Sequence, residues 1–107
     1  MAPRESYSLV YAPLVKAHLK AIEPKHYSLI RNEIEIQLRF EPETETRNRK
    51  PLKRPIVSEA RWELRIGPGN RFRVFYKTVR ESGEVQVLAI GEKKGSKLFI
   101  GGKEFEP

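Results

Sequence analysis

The chain has 107 residues, which is enough for one compact domain with a modest core and too few for two. Its hydrophobic content of 38% indicates a folded chain, and the lack of cysteine excludes disulfides, thiolate metal sites and thiol nucleophiles. The apolar runs are only as long as strands, and the N-terminus lacks the pattern of a secretion signal. We therefore expect a cytoplasmic protein that does not associate with membranes.

The net charge of +7 is confined to one half of the chain. Residues 1–46 contain six Lys and Arg against seven Glu, a balance of −1, whereas residues 47–107 contain fifteen against seven, a balance of +8. A polyanion-binding surface requires such a basic half, although a basic solubilising surface explains the same count equally well. Every acidic residue is Glu, which disfavours a site built from several metal-binding carboxylates.

The N-terminal half predicts one strand followed by two helices. The aromatic and β-branched run Tyr7–Tyr11 predicts a strand. Pro13 favours the first turn of a helix, and apolar residues recur at helical spacing over 13–22. Pro24 interrupts this helix, so we expect a second one that begins at about residue 25 and is closed by Phe40-Glu41-Pro42.

The C-terminal half predicts an antiparallel meander. Residues 41–58 are rich in proline and basic residues and are interpreted as an exposed basic connection that cannot pack alone. Alternation then predicts strands over 62–66, 71–79 and 85–90, followed by a small hairpin over 97–105. The predicted fold class is α+β, in the order β-α-α-β-β-β with a short C-terminal hairpin, with two helices on one face of the sheet.

The opposite face of the predicted sheet carries charge. Alternation places five side chains there: Arg61, Glu63, Arg65, Arg71 and Arg73. Such cations can hold a phosphodiester and stabilise the charge that grows on it. RNA supplies its own nucleophile, the 2′-hydroxyl, so cleavage needs positioning, charge and a proton acceptor but no metal or cofactor. Glu63 is a candidate acceptor, although a cross-strand ion pair is the more ordinary role for such a residue.

Other chemistries lack the necessary residues in this sequence. The only histidines, His18 and His26, lie in the helical half and are interpreted as ordinary helix residues rather than metal ligands or catalysts. Ser82 and Ser96 have no histidine positioned as a base, and the glycines do not match a phosphate-binding loop. We therefore predict no metal and no small-molecule cofactor.

Four phrases of the C-terminal half resemble the RelE/ParE superfamily of bacterial and archaeal toxins. They occur in the family's order and at similar spacing: Thr46-Arg47-Asn48-Arg49-Lys50-Pro51-Leu52, Trp62-Glu63-Leu64-Arg65, Arg73-Val74-Phe75-Tyr76 and Val87-Leu88-Ala89-Ile90-Gly91-Glu92-Lys93-Lys94. The helical half matches the family in layout only. The resemblance implies two helices packed on a curved antiparallel sheet, in a single toxin domain over residues 1–107.

The resemblance also implies an activity and a partner. RelE-like members cut messenger RNA on the ribosome without a metal, ParE-like members poison DNA gyrase, and a cognate antitoxin covers the basic groove of such toxins. Two functions stay open. The first is an endoribonuclease of a type II toxin–antitoxin system that cuts ribosome-bound mRNA and represses translation. The second is a non-nuclease toxin or binding module, either a gyrase inhibitor or a degenerate toxin that binds only antitoxin or RNA.

Carried over residue by residue, the resemblance implies a catalytic set and an RNA-binding set. Arg73 matches an arginine that stabilises the transition state, and Lys93 matches a basic residue used as general acid or phosphate ligand. Arg61 and Glu63 fall where RelE-like enzymes place basic residues, one of them a proton acceptor. Phe99 falls at the position of a base-stacking tyrosine. The RNA-binding set is Arg65, Arg71, Lys94, Lys97, Phe99, Arg49, Lys50 and Lys53.

Overall fold

The computed structural model of the chain describes residues 6–54, 56–57 and 59–106. Its helices and strands are β1 (Ser8–Tyr11), α1 (Pro13–Lys20), α2 (Tyr27–Leu38), β2 (Arg49–Pro51), β3 (Trp62–Ile66), β4 (Phe72–Val79), β5 (Glu84–Lys94), β6 (Lys97–Ile100) and β7 (Lys103–Glu104). A 3₁₀ turn, Pro24–His26, joins α1 to α2, as the helix-breaking proline predicts. In this part of the chain, no helix is long and apolar enough to cross a membrane.

The strands form one sheet in the order β2-β3-β4-β5-β6-β7, with neighbouring strands antiparallel. β1 adds to β5 in parallel, pairing Ser8–Tyr11 with residues 84–87. The two helices pack against one face of this sheet. The predicted α+β fold is therefore confirmed, and β1 lies where the run Tyr7–Tyr11 predicts a strand. The parallel pairing of β1 and the short edge strand β2 are features that the sequence patterns did not indicate.

The main core lies between the helices and the sheet. One stripe of α2, formed by Ile30, Ile34 and Leu38, is buried because these residues recur every four positions. The alternate residues of β3, β4 and β5 meet this stripe, and they include Leu64, Ile66, Phe72, Val74, Tyr76, Val87 and Ile90. The Tyr76 hydroxyl donates a hydrogen bond to the Pro42 carbonyl at 2.6 Å, and burial raises the pKa of this phenol.

The connection between α2 and β3 packs on the other face of the sheet. Leu52, Ile56 and Val57 cover a second apolar cluster that includes Phe75 and Ala89. The prediction that residues 41–58 form an exposed connection is therefore wrong for Leu52, Ile56 and Val57, which are partly buried. The charged face of the sheet also contains apolar residues, and burying them stabilises the fold. The apolar residues of the connection that pack on them have no periodicity, so the sequence pattern does not reveal this packing.

Arg49 is the clearest departure from the predicted exposed connection. Its guanidinium donates from Nη1 to the Gln37 carbonyl at 2.6 Å and from Nε to the Thr44 carbonyl at 2.9 Å, and the residue is only 8% exposed. Gln37 lies in the last turn of α2, where carbonyl groups lack helical partners and a positive charge is favourable. Arg49 therefore joins α2 to β2, and its predicted role as an RNA ligand is corrected.

His18 of α1 fills a gap along one edge of β5. The pairing of β1 with β5 ends at Val87, and the pairing of β6 with β5 begins at Gly91. Between them, the N–H of Ile90 donates to His18 Nδ1 at 3.3 Å. Burial lowers the pKa of His18, and Glu92 and Lys94 line the small cavity beside it. The neutral imidazole is the form that can accept this hydrogen bond.

His18 is expected to make the stability of the fold depend on pH. Because its pKa is lowered in the folded chain, the unfolded chain takes up the proton first as the pH falls below about 6.5. Neutral His18 contributes fully to the free energy of unfolding above a pH of about 6.5. This contribution is lost as the pH falls toward the lower pKa of His18 in the folded chain, and it stays lost below that pKa. Urea unfolding at pH 7.5 and pH 5 should show a smaller pH dependence for His18→Gln than for the wild type. An equal dependence in both proteins would contradict this role.

Candidate nucleic-acid interface

The sheet face away from the helices, called the outer face below, collects charged residues from neighbouring strands. The β3–β4 register places Arg65 opposite Arg73 and Glu63 opposite Phe75. The β2–β3 register places Lys50 opposite Glu63. Directly opposed residues share one face of a sheet and lie within contact distance. Side chains from three strands therefore meet around Glu63, as the alternation of β3 and β4 predicts.

Glu63, Arg65 and Arg73 form an ion-pair group, called the Glu63 cluster below. Arg65 donates from Nε to Glu63 Oε1 at 2.6 Å, and Arg73 donates from Nη1 to Oε2 at 3.3 Å. The Glu63 side chain is 6% exposed and the Arg73 side chain 16%. A buried carboxylate is tolerated only when such partners compensate for its lost hydration. The cluster is therefore a recessed carboxylate with two guanidinium groups held against it.

The Arg73 guanidinium is held in place by the backbone and has N–H groups left to bind another anion. Its Nε donates to the Asn70 carbonyl at 2.9 Å, in the turn that precedes β4. A guanidinium has five N–H donors, and within the described residues only Nε and Nη1 of Arg73 have protein partners. Its longer contact, 3.3 Å to Glu63, is the one more easily exchanged for another anion.

Two clefts lie on either side of the stretch that contains Leu52, Ile56 and Val57 and packs on the outer face, called the covering segment below. The first, of about 460 Å³, is called the Glu63 cleft and is lined by Lys50, Leu52, Lys53, Ile56, Glu63 and Arg65, among others. The second, of about 810 Å³, is called the Lys93 cleft and is lined by Lys53, Arg54, Lys93, Lys97 and Phe105, among others. Lys53 borders both clefts. Cations therefore follow one another from the Glu63 cluster across the covering segment to the β5–β6 turn.

Lys93, near the end of β5, and Lys97, at the start of β6, both line the Lys93 cleft. Lys93 Nζ donates to the Ser96 carbonyl at 3.1 Å, within the turn between the two strands. Lys97 Nζ lies 3.8 Å from Glu104 Oε1, a loose and exposed ion pair that contributes little to stability. Arg61, immediately before β3, is exposed. Arg61 and Lys97 are therefore exposed and Lys93 is partly exposed, and their contacts with RNA stay predictions.

Three other residues of the predicted RNA-binding set lie elsewhere. Arg71 has helical backbone angles, with φ −62° and ψ −37°, so strand alternation does not extend to it. It donates to Glu92 Oε2 at 2.6 Å, and Glu92 lies opposite Phe72 on the helix-facing side. Lys94 Nζ is 5.3 Å from the centre of the Phe99 ring, and both residues line the small cavity beside α1. The predicted position of Arg71 on the outer face is therefore wrong. Lys94 and Phe99 lie on the helix-facing side, away from the Glu63 cluster, and their RNA contacts stay predictions.

The sequence analysis did not select Phe105 or Arg54, which both line the Lys93 cleft. Phe105 is held in place by its backbone N–H, which donates to the Leu98 carbonyl at 2.7 Å. The signal in the sequence is an aromatic residue between two glutamates, shortly after a Gly-Gly turn. It has no periodicity, so only the pairing of β6 with β7 shows that it returns to the basic face.

The fold places this chain in a known structural class. No protein-family model matches the chain, and no curated protein matches its sequence. Two helices on one face of a mainly antiparallel sheet give the chain an α+β fold that it shares with a solved RelE structure.

A solved structure similar to this chain is that of the toxin–antitoxin complex RelBE2 from Mycobacterium tuberculosis. The superposition covers 82% of this chain and 92% of the chain in that complex, with a TM-score of 0.66 and 20% sequence identity. The similarity therefore extends over nearly the whole fold, and the predicted RelE-like fold is confirmed.

Proposed function

We propose that this chain is the toxin of a type II toxin–antitoxin system, a single domain that acts in the cytoplasm as a metal-independent endoribonuclease on ribosome-bound mRNA. The observation that carries this proposal is the Glu63 cluster, where two arginines from neighbouring strands meet a carboxylate beside a continuous row of cations. The similarity of the fold to a chain of a toxin–antitoxin complex supports the toxin assignment. Cutting translated messages would repress translation.

In the proposed reaction, the cations hold the RNA backbone and the charge that develops on it. Arg61 and Arg65 align the phosphodiester, and Arg73 donates to the non-bridging oxygens of the phosphate under attack. Preorganised donors in a recessed site stabilise such charge far better than donors in bulk water. The low exposure of Arg73 and its anchor on Asn70 meet this requirement, because the guanidinium need not be reoriented from solvent.

Glu63 is proposed to accept the proton of the 2′-hydroxyl. When Arg73 exchanges its 3.3 Å contact with Glu63 for the phosphate, Oε2 becomes free to act as a base, while Arg65 keeps the carboxylate in place. The 2′-oxygen then forms a bond to phosphorus and the bond from phosphorus to the 5′-oxygen breaks. Water is proposed to supply the proton to this leaving oxygen, while Lys93, which lines the cleft on the other side of the covering segment, is proposed to bind a flanking phosphate. No metal enters these steps.

The test of this proton transfer is Glu63→Gln. The amide keeps the shape of the side chain but cannot take up the proton, so we expect cleavage of ribosome-bound mRNA to fall by about a hundredfold or more. RNA binding should remain. The matched control is Glu92→Gln, a carboxylate that is similarly buried and paired with an arginine, but on the helix-facing side. Equal cleavage by wild type and Glu63→Gln would remove Glu63 from the reaction.

A second candidate is a non-nuclease toxin or binding module, either a ParE-like gyrase inhibitor or a degenerate toxin. The observation that favours it is the low exposure of Glu63 and Arg73, which is ordinary for an ion pair that only stabilises a sheet. This candidate predicts intact messages after expression of the chain. A gyrase inhibitor would in addition cause DNA breaks, whereas a degenerate toxin would bind antitoxin or RNA without arresting growth.

The antitoxin is proposed to bind the groove between α1 and α2, rather than the basic groove that the resemblance implies. This groove has a volume of about 640 Å³ and an apolar floor that includes Val15, Leu19 and Ile30, with Lys16 and Arg31 also lining it. Leu14, at the start of α1, is 67% exposed. An amphipathic helix with acidic residues at its flanks would complement both the apolar floor and the basic residues.

Reversing the charge of the groove should weaken the antitoxin complex. For Lys16→Glu combined with Arg31→Glu, we expect at least about a tenfold loss of affinity for the protein encoded next to this chain, because like charges would then face each other. Lys20→Glu is the control, since Lys20 is exposed on α1 and does not line the groove. Calorimetric titration of the purified proteins measures the difference. Unchanged affinity would place the antitoxin elsewhere.

A further inference from the structure

The turn between β3 and β4, over residues 67–70, contains a left-handed backbone position that is not a glycine. Asn70 has a φ of 54°, and Gly69 before it has a φ of 64°. Residues with a Cβ atom rarely adopt this conformation, and asparagine is one of the few that tolerate it. Among the residues that the structure describes, Glu59 is the only other non-glycine residue with a positive φ, at 70°. Such positions are concentrated at functional sites, where the surrounding structure holds them.

Contacts within the turn and with the core restrict its position. The Asn70 N–H donates to the Gly67 carbonyl at 3.0 Å and closes the turn. Gly67 lies directly against the Phe72 ring, because a Cβ atom at Gly67 would be only 3.0 Å from Phe72 Cδ2. Phe72 is fully buried in the main core. The turn is therefore attached to the core through Phe72 at the point where β4 begins.

The backbone angles of Asn70 set the direction of its carbonyl group, because the peptide group that follows a residue is planar and turns with that residue's angles. This carbonyl accepts the hydrogen bond from Arg73 Nε at 2.9 Å. It is the shorter of the two contacts of this guanidinium, since Arg73 Nη1 lies 3.3 Å from Glu63 Oε2. When Arg73 exchanges Glu63 for a phosphate, the bond to Asn70 is the one of these two that still orients the guanidinium.

Resting on the nuclease function proposed above, we infer that Asn70 is a positioning residue for Arg73, because its left-handed backbone directs the carbonyl that orients the guanidinium during the reaction. The role belongs to the backbone and not to the side-chain amide. Glycine adopts positive φ readily and should preserve the role at position 70. A β-branched residue is strained in this conformation and should not preserve it.

The test compares Asn70→Val with Asn70→Gly, which both remove the amide. Single-turnover cleavage of ribosome-bound mRNA with saturating protein should be slower by about tenfold or more for Asn70→Val, because small displacements of a catalytic group cost one to two orders of magnitude in rate. The protein concentration for half-saturation should change by about twofold or less, since the flanking cations supply most of the binding. Asn70→Gly should cleave at nearly the wild-type rate.

The matched controls are Glu59→Val and Glu59→Gly. Glu59 has a positive φ like Asn70, but it is exposed and pairs with Lys77, four residues along the chain from Arg73. Valine is strained at both positions, so urea unfolding should show a loss of stability for both valine variants. Only Asn70→Val should lose cleavage. A merely structural role of the turn would instead make the cleavage rate follow the stability in both pairs.

A second readout follows the hydrogen bond itself and does not depend on cleavage. The Arg73 Nε–H is observed by NMR, and its exchange with water should be slow in the wild type and in Asn70→Gly. In Asn70→Val we expect this exchange to be about tenfold faster or more, because the proton loses its acceptor.

The outcomes separate this role from the nuclease function. If the wild type cleaves and Asn70→Val cleaves as fast, or Asn70→Gly is as slow as Asn70→Val, the positioning role is refuted and the nuclease function stands. A slower Asn70→Val with unchanged exchange of the Arg73 Nε–H would also refute it, because the turn would then act by another route. If the wild type leaves mRNA intact, the nuclease function fails and the positioning role fails with it.

Discussion

Arg73→Ala is expected to lower the rate of cleavage of ribosome-bound mRNA by about a hundredfold or more. Arg73 lies in the Glu63 cluster and is anchored to the Asn70 carbonyl, so its remaining donors are in place before RNA arrives. Loss of one preorganised donor to a developing anion typically costs two to three orders of magnitude in rate. Single-turnover kinetics with saturating protein measure the rate apart from RNA binding.

The control for Arg73→Ala is Arg71→Ala. Both residues are arginines near the start of β4 and both contact a buried glutamate, but Arg71 pairs with Glu92 on the helix-facing side. Arg71→Ala should therefore cleave at nearly the wild-type rate. Arg73→Lys should recover only part of the activity. The ammonium group keeps the positive charge but lacks the planar fork of N–H donors that lets arginine bond the Asn70 carbonyl and a phosphate at once. Equal rates for Arg73→Ala and the wild type would exclude Arg73 from the mechanism.

Arg49→Ala should give a large loss of stability, about 3 kcal/mol in the free energy of unfolding. The substitution removes a buried guanidinium and leaves the carbonyls of Gln37 and Thr44 without its hydrogen bonds. Each unsatisfied buried carbonyl costs roughly 1–3 kcal/mol, and the charge that complements the end of α2 is lost as well. Urea unfolding followed by circular dichroism measures the change.

Lys50→Ala is the control for Arg49→Ala. Lys50 is the next residue of β2, and its ammonium group makes only an exposed pair with Glu45 at 3.4 Å. Such pairs contribute about 1 kcal/mol or less, so the stability should change little. If Arg49→Ala unfolds at the same urea concentration as Lys50→Ala, Arg49 does not hold α2 and β2 together.

The sequence patterns with a clear period predict their elements well. Alternation in 62–66 and 71–79 matches β3 and β4, and the stripe of α2 matches its buried face. These elements follow from the sequence because each buries one face, and the period of the apolar residues reports which face it is. The position of Glu63 between Arg65 and Arg73 follows from the same alternation combined with antiparallel pairing.

The structure differs from the prediction where the position of a side chain is not set by the spacing of apolar residues. Arg71 is adjacent to β4 in sequence, but its helical backbone angles turn it away from the face that alternation assigns. Phe99 and Phe105 lie six residues apart, and only the register of the hairpin decides which one reaches the basic face. Arg49 is a basic residue in a basic run, and nothing in that run shows that it lies under α2.

The most direct test of the proposed mechanism is the chemistry of the RNA ends produced from ribosome-bound mRNA. Attack by the 2′-hydroxyl, held by the Glu63 cluster, predicts fragments with a 2′,3′-cyclic phosphate and a 5′-hydroxyl. It also predicts no cutting where the nucleotide at the scissile position lacks its 2′-hydroxyl. Fragments with 5′-phosphate ends, cutting of the 2′-deoxy substrate, or intact mRNA would contradict it.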